Sequence, residues 1–218
     1  RSPSCGIKDV KIYASEDSSM VVRKGSGFFG SAVVDKFPDL PVEDEWRLTN
    51  LRIREHFLTK LFLFARFRMI KSSNLMKELV KFHSESKMLL MSYNQKEMRM
   101  LGRIVANLEK KPISEVFEEY EKHLYNAFKQ IPKYSSNINV LMHSLGYFSE
   151  NLSHKEKAFF LDILEKYRLK KIPLSVPISI LKSYIIRFNQ EYLMQQNFFN
   201  PYPEDLIEIS DSGKGRDL

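Results

Sequence analysis

The stretch SEVFEEYEKHLYNAF, residues 114–128, decides the fold class of this chain. Its apolar side chains recur every three or four residues, at Val116, Phe117, Tyr120, Leu124 and Phe128. This spacing is typical of an amphipathic α-helix that buries one face. Pro112 precedes the stretch and Pro132 follows it, so both ends of the predicted helix are marked.

The same period continues along most of the chain in both directions. Asn94 with Glu97, and Ser153 with Glu156, are capping signatures that predict the starts of two further helices. The predicted helices cover residues 49–70, 74–92, 94 to about 110, 114–128, 138–151, 153–169, a segment from Ser175, and 190–199. Asn74 is predicted to cap the second of these helices. The inner side of the first is predicted to carry Leu51, Phe57, Leu58, Leu61, Phe62 and Ala65. We therefore predict a mainly α fold, a bundle of about seven or eight helices.

Residues 1–46 follow a different pattern. Two short β-branched runs, Val10–Tyr13 and Met20–Val22, precede a glycine loop and a short predicted helix over Phe28–Phe37. Such a β-β-α piece is too small to bury both faces of a sheet. We predict that 1–46 are the C-terminal remnant of another domain with its linker. Residues 47–206 are predicted to form the all-α domain, and 207–218 a disordered tail.

The composition is that of a soluble globular protein, with 43% hydrophobic and 28% charged residues. No apolar stretch approaches the roughly 20 residues of a membrane-spanning helix. The single cysteine excludes an internal disulfide, which fits a reducing compartment, so we expect a cytoplasmic protein. Because no stretch is long enough to span a membrane, we expect no membrane partner. Residues 47–203 hold 26 Lys and Arg against 14 Asp and Glu, a net +12 within a total of +7. This charge either attracts nucleic acid, nucleotides or an acidic partner, or belongs to a solvated helix surface.

Seven short sequence motifs along the helical part carry a family resemblance. They are Arg52–Phe57, Phe82–Lys87, Leu101–Arg103, Asn139–Phe148, Tyr167–Arg168, Ile172–Pro177 and Gln195–Pro201. By these stretches residues 47–206 resemble the YbgA family, a bacterial and archaeal domain without a settled activity. The resemblance implies an all-α domain and assigns no reaction. Tyr93 and Ser183 depart from the family pattern, because histidines are expected at both positions.

Residues 1–46 carry a second resemblance, through RSPSCG at 1–6, Gly25-x-Gly27 and LPVEDE at 40–45. They look like the C-terminal end of the thiouracil desulfidase-type domain that is often fused ahead of YbgA domains. In that family three cysteines hold a four-iron four-sulfur cluster, with one iron open for the sulfur that is removed. The resemblance implies that Cys5 is a cluster ligand and Ser2 a proton-handling catalytic residue of the full-length parent. One thiolate cannot hold such a cluster, so we expect no cofactor and no desulfidase activity from this chain alone.

Other interpretations of this region stay open. Cys5 can instead be a small buried apolar side chain, the usual state of an unpaired cysteine. Gly25-x-Gly27-x-x-Gly30 formally matches a dinucleotide fingerprint, but no second βαβ strand with a ribose-binding acid fits before the prolines. The five histidines form no His-x-x-x-His pair, so spacing predicts no metal site.

Six residues of the helical part are the candidates for ligand binding. His83 and Lys87 share one helix face, where they can hold a phosphate or carboxylate or can be an ordinary surface pair. Asn139, His143 and Tyr147 form a polar seam in an apolar helix, which is either structural or the lining of a pocket. Arg103 completes the set, because arginine suits bidentate phosphate recognition. The predicted substrate-binding residues are therefore His83, Lys87, Arg103, Asn139, His143 and Tyr147.

Three hypotheses for function follow from these observations. In the first, the helical domain is an accessory module that binds an anionic substrate, a thiolated nucleotide or nucleic acid, for an upstream iron–sulfur domain of the same polypeptide. In the second it is an enzyme with a histidine general base, which requires a histidine in contact with a carboxylate. In the third it is a protein-interaction or scaffold domain, which requires an exposed apolar patch.

Overall fold

The structure, a computed structural model, describes residues 5–8, 10–13 and 21–207, with the backbone alone at 11–13 and 21–24. Ser2 and residues 208–218 of the predicted tail lie outside this part of the chain. Within it the mainly α fold predicted from the sequence is confirmed. None of the helices described is both long enough and apolar enough to cross a membrane.

The described residues form ten α-helices and one pair of antiparallel strands. The strands are β1 (Val10–Tyr13) and β2 (Val21–Gly25), with Val10 paired to Gly25. The helices are α1 (Phe28–Lys36), α2 (Glu45–Leu48), α3 (Leu51–Ser73), α4 (Met76–Tyr93), α5 (Gln95–Ala106), α6 (Ile113–Ala127), α7 (Tyr134–Gly146), α8 (His154–Arg168), α9 (Ser175–Arg187) and α10 (Glu191–Met194). A 3₁₀ turn follows at Glu204–Leu206.

The chain divides into two compact units. One contains the described residues up to Phe64 together with those from Asp205 onward, and the other is Ala65–Glu204. Helix α3 begins in the first unit and ends in the second. The sequence-based boundaries at 46/47 and 206/207 stay predictions.

In the first unit, close backbone contacts join the segment around Cys5 to the start of α1. The Gly27 N–H donates to the Gly6 carbonyl at 2.7 Å. A Cβ atom added to Gly30 would lie 2.5 Å from the same carbonyl oxygen, so only glycine fits there. The buried Asp44 carboxylate accepts from the backbone N–H of Ile7 at 3.3 Å and of Arg47 at 3.1 Å. It therefore caps α2 and holds the Cys5 segment with one side chain.

The core of the second unit lies between α4, α5 and α6, with α7 on α4 and α8 and α9 on α7. Its centre is aromatic: Phe67 stacks on Tyr120 with ring centroids 5.6 Å apart, and Phe82 contacts both rings. All five apolar residues predicted to face inward on α6 are buried: Val116, Phe117, Tyr120, Leu124 and Phe128. The amphipathic pattern of residues 114–128 therefore selected the correct face.

The capping signals were correct at two of three helices. Asn94 accepts from the backbone N–H of Lys96 and Glu97, and Ser153 with Glu156 forms a reciprocal capping box. The expectation that Asn74 caps α4 was wrong, because Leu75 is at the N-cap and Asn74 has a left-handed φ of 51° after the end of α3.

The inner face predicted for α3 was also wrong. Leu61, which was expected inside, is exposed, whereas Ile53, Leu63, Phe64 and Phe67 are buried. Residues 57–64 of this helix are apolar on almost every side, so the sequence contains no periodic signal that could select one face.

Candidate functional site

His83 contacts Tyr120 at the junction of α4 and α6. Its Nδ1 lies 3.1 Å from the Tyr120 hydroxyl, and the two rings meet edge to face at 5.9 Å. Tyr120 is completely buried, whereas His83 is half-buried. A buried hydroxyl needs a hydrogen-bond partner, and the imidazole supplies it. The contact with Tyr120 therefore holds Nδ1 of His83 toward the core.

The other ring nitrogen of His83 faces Gly102 on α5. A Cβ atom added to Gly102 would lie 3.4 Å from His83 Nε2 and 4.0 Å from Cε1. Glycine in the interior of a helix costs about 0.5–1 kcal/mol relative to alanine. At this position its missing side chain leaves the Nε2 edge of the imidazole uncovered by α5.

Burial, and then the nearby charge of Lys87, lower the pKa of His83 to about 4. Burial also raises the pKa of Tyr120 well above its usual range, so the phenol keeps its proton. Near neutral pH the imidazole is therefore uncharged and acts as a hydrogen-bonding group. When the phenol donates to Nδ1, the imidazole proton is on Nε2, which then becomes a donor beside Gly102.

Cationic residues lie near His83 on α4 and next to Gly102 on α5. Lys87 lies one turn further along α4, and Arg103 follows Gly102 on α5; both are exposed. Lys96 and Arg99 are also exposed, and with Arg103 they share one face of α5. We call Lys96, Arg99 and Arg103 the basic ridge. Among the residues that the structure describes, no carboxylate forms an ion pair with the ridge.

The carboxylate of α5 points away from the basic ridge. Glu97 Oε2 lies 2.6 Å from His123 Nδ1 on α6, with both side chains largely buried. This is the contact between a histidine and a carboxylate that the enzyme hypothesis requires. The sequence signal for it was weak, because Glu97 was interpreted as part of a capping signature.

Asn139, His143 and Tyr147 lie on the solvent side of α7, so the predicted seam is exposed and not embedded. The Tyr147 ring stacks on Tyr192 at 5.7 Å. Helix α7 contacts α4 through its opposite side, where the Ser144 hydroxyl lies 3.6 Å from the Met88 sulfur. Within the described part of the chain, no hydrogen bond, ion pair or ring contact joins these three residues to His83 or Arg103. The structure thus brings together His83, Lys87 and Gly102, with Arg103 next to that glycine in the sequence, and leaves the α7 residues apart.

In the first unit Cys5 is exposed, so its interpretation as a buried apolar side chain was wrong. The proposed catalytic Ser2 lies outside the described residues. Gly27 and Gly30 are explained by their contacts with Gly6, which gives a structural reason for the glycine motif. The described residues contain no group of three metal-ligating side chains. Cys5 alone does not fit a four-iron cluster, because such a cluster needs several thiolates.

Helix α3 carries three titratable groups of shifted pKa in this unit, Glu55, His56 and Lys60, and burial lowers the pKa of the Lys60 ammonium. Burial raises the pKa of Glu55 to about 7, against the opposing charges of Arg52 and Arg54. Burial and Lys60 lower the pKa of His56 to about 3. The side chains of Glu55 and His56 are therefore mainly or partly uncharged near neutral pH, and neither was predicted to be a site.

Comparison with known proteins gives a family and one curated relative. Residues 87–203 match the family model described as "Protein of unknown function (DUF1722)". The chain is 24% identical over 164 residues to the "Uncharacterized protein YbgA" of Escherichia coli strain K12, covering 74% of this chain and 96% of that protein. No solved structure matches the chain. The matched region contains Lys87, Gly102, Arg103 and Tyr120.

Proposed function

The chain belongs to the DUF1722 family, a family of unknown function, and from that premise we propose that its helical part binds an anionic ligand. The ligand is a thiolated nucleotide or nucleic acid, held for an iron–sulfur desulfidase-like domain of the same polypeptide. The observation that carries this proposal is the position of His83 Nε2, which faces the glycine of α5; Lys87 lies one turn along α4, and Arg103 follows that glycine in the sequence.

The chemistry of these groups suits an oxyanion. The neutral imidazole offers a single directed hydrogen bond, and Lys87 supplies a compact charge beside it. Arg103 can donate two parallel hydrogen bonds to a phosphate. The basic ridge continues this surface along α5, where Lys96 and Arg103 are seven residues apart, or about 10 Å along the helix axis. That length exceeds one phosphate group and favours a ligand with several phosphates.

The wider charge distribution supports the same ligand class. Residues 65–204 hold 22 Lys and Arg against 14 Asp and Glu, a net charge of +8. Several of the carboxylates are engaged elsewhere, as Glu97 is with His123 and Glu85 is with Arg66. A positive field of this kind attracts polyanions and accelerates their association.

The role as an accessory to another domain is supported by the first unit. Phe28 is 87% and Phe29 60% exposed on α1, and Val34, Phe37 and Leu40 are also exposed. A two-stranded sheet with one short helix cannot cover such side chains. This exposed apolar surface fits a remnant that packs against further parts of its own domain.

The histidine enzyme remains the second candidate, and one observation favours it. The Glu97–His123 contact orients one nitrogen of the imidazole, as a carboxylate does for a general base. Among the described residues, no further hydrogen bond or ion pair joins these two side chains to another polar side chain, so anion binding ranks first. The exposed apolar surface of α1 would equally serve a scaffold, which is the third candidate.

Binding of fluorescein-labelled single-stranded oligouridine, with and without 4-thiouridine, tests the proposal as salt is raised. Electrostatic contacts predict a linear fall of log K with log salt, with a slope of about −0.7 for each phosphate contact. Lys87→Gln and Arg103→Gln should each lower the affinity and make the slope shallower by about 0.7. Lys155→Gln, the same charge change at an exposed position of α8, is the matched control. Equal losses in all three variants, or no binding by the unaltered chain, would refute a specific site.

A further inference from the structure

We infer that Gln196 and Asn197 are positioning residues for this ligand site, because they hold the turn of α4 that carries His83 and Lys87. The inference rests on the proposed function of that turn. Gln196 and Asn197 follow α10, and both are buried. We call these two residues the amide clasp.

Gln196 binds two backbone groups of α4 with its side-chain amide. Its Oε1 accepts from the Met88 N–H at 3.1 Å, and its Nε2 donates to the Ser84 carbonyl at 2.9 Å. In a regular α-helix the carbonyl of residue 84 accepts directly from the N–H of residue 88. The Gln196 amide therefore bridges the two ends of one helical hydrogen bond, at the turn between His83 and Lys87.

Asn197 extends the clasp to Glu85 and Ser86, which lie between Ser84 and Met88. Its backbone N–H donates to the Glu85 carbonyl at 2.8 Å, and its Nδ2 donates to the Ser86 hydroxyl at 2.9 Å. Arg66 donates to the Asn197 side-chain oxygen and, at 3.0 Å, to the Glu85 carboxylate. Residues 84, 85, 86 and 88 are thus all contacted by the clasp, and no other turn of α4 receives comparable contacts within the described residues.

Anchoring of the C-terminal segment does not require these amides. Phe198 and Phe199 are buried and meet edge to face at 5.4 Å, so they already fix this segment by apolar contact. Buried amides are tolerated only when every polar atom is satisfied. Each side-chain polar atom of the clasp meets this requirement through α4 or through Arg66, which itself binds Glu85 of α4. The contacts therefore determine the local geometry of α4, and with it the position of Lys87 relative to His83.

Gln196→Leu tests the inference, because leucine is apolar and cannot bridge Ser84 and Met88. We expect the folded variant to bind oligouridine three- to tenfold more weakly and to shift the NMR resonances of the His83 ring. Gln195→Leu makes the same change at the exposed neighbouring residue and should alter neither the affinity nor the His83 resonances. Phe160→Leu, in the buried face of α8, controls for a general loss of stability. If Gln196→Leu does not fold, Gln196→Glu is the variant to test. It keeps the acceptor for the Met88 N–H and loses the donor to the Ser84 carbonyl.

The outcomes separate the two proposals. A folded Gln196 variant with the affinity and His83 resonances of the unaltered chain overturns the inference and leaves the binding site standing. An equal loss in Phe160→Leu also overturns it, because destabilisation alone would then explain the effect. Absence of binding by the unaltered chain overturns the proposed function and the clasp's role together.

Discussion

His83 Nε2 lies 3.4 Å from the point where a side chain on Gly102 would begin, so α5 passes the imidazole at the one residue that cannot cover it. Leu101 on one side of this glycine is buried, and Arg103 on the other is exposed. The glycine therefore lies where the core ends and the charged surface begins. A substitution at this glycine should therefore change the stability of the protein and its affinity for the ligand in opposite directions.

Gly102→Ala should make the protein more stable and the ligand site weaker. Alanine in a helix interior gains about 0.5–1 kcal/mol over glycine, and 3.4 Å is an ordinary contact that the imidazole tolerates. The new methyl group would nevertheless cover Nε2. Urea unfolding and oligouridine anisotropy measure the two effects on one sample.

Gly146→Ala is the matched control for this change, because a Cβ atom there would have no neighbour within 4 Å. It lies at the end of α7 and should leave the affinity unchanged. An affinity that survives Gly102→Ala would show that the ligand does not use the Nε2 edge of His83.

Much of the helical fold could be predicted because helix signals are local. The apolar spacing of α6 and the Ser153–Glu156 box depend on neighbours in sequence, and both were found as predicted. The inner face of α3 could not be predicted, since its sequence is apolar on almost every side between residues 57 and 64. Which side of such a helix is buried depends on partners far away in the chain.

The candidate site was predictable only in part for the same reason. The i,i+4 spacing placed His83 and Lys87 on one face, but the contacts of His83 with Tyr120 and Gly102 join α4 to two other helices, α6 and α5. His143 and Tyr147 have the same spacing and lie on the exposed side of α7. Spacing tells which residues share a face and not which face meets another helix.

His83→Gln should remove part of the pH dependence of stability below neutral pH. The folded pKa of about 4 is below the unfolded value of 6.5, so between these values the unfolded chain binds a proton that the folded chain does not. Stability therefore falls as pH drops from about 6.5 to 4, by at most about 1.4 kcal/mol per pH unit. The variant should show a shallower fall in urea unfolding across this window.

Other groups also titrate between about pH 6.5 and 4, so the test compares the slope of stability against pH between variants. Ser149→Ala changes an exposed residue without a titratable side chain and should keep the slope of the unaltered chain. Lys87→Gln removes a charge that lowers the pKa of His83, so an NMR titration should find that pKa raised. Identical slopes for His83→Gln and the unaltered chain would contradict an uncharged, buried imidazole.

Ser153→Ala should destabilise the second unit by about 1 kcal/mol. The Ser153 hydroxyl accepts from the Glu156 N–H at 3.3 Å, and the Glu156 carboxylate accepts from the Ser153 N–H at 2.8 Å. The substitution removes the first of these contacts at the start of α8. Ser149→Ala, an exposed serine nearby, should change the urea midpoint by much less. Equal midpoints for the two variants would mean that the Ser153 hydroxyl contributes nothing as a cap.

Asp44→Ala should release the Cys5 segment from the start of α2. The carboxylate accepts from Ile7 and Arg47 N–H groups, and the loss of an acceptor for a buried donor costs about 1–3 kcal/mol. Both amides should exchange with deuterium faster in the variant, while the Gly27 amide, which donates to Gly6, keeps its protection. Glu45→Ala, at the exposed neighbouring position, is the control. If Ile7 exchanges no faster in Asp44→Ala than in that control, Asp44 does not hold the segment. Faster exchange at Gly27 as well would mean instead that the whole first unit has loosened, and that the link is not confined to this carboxylate.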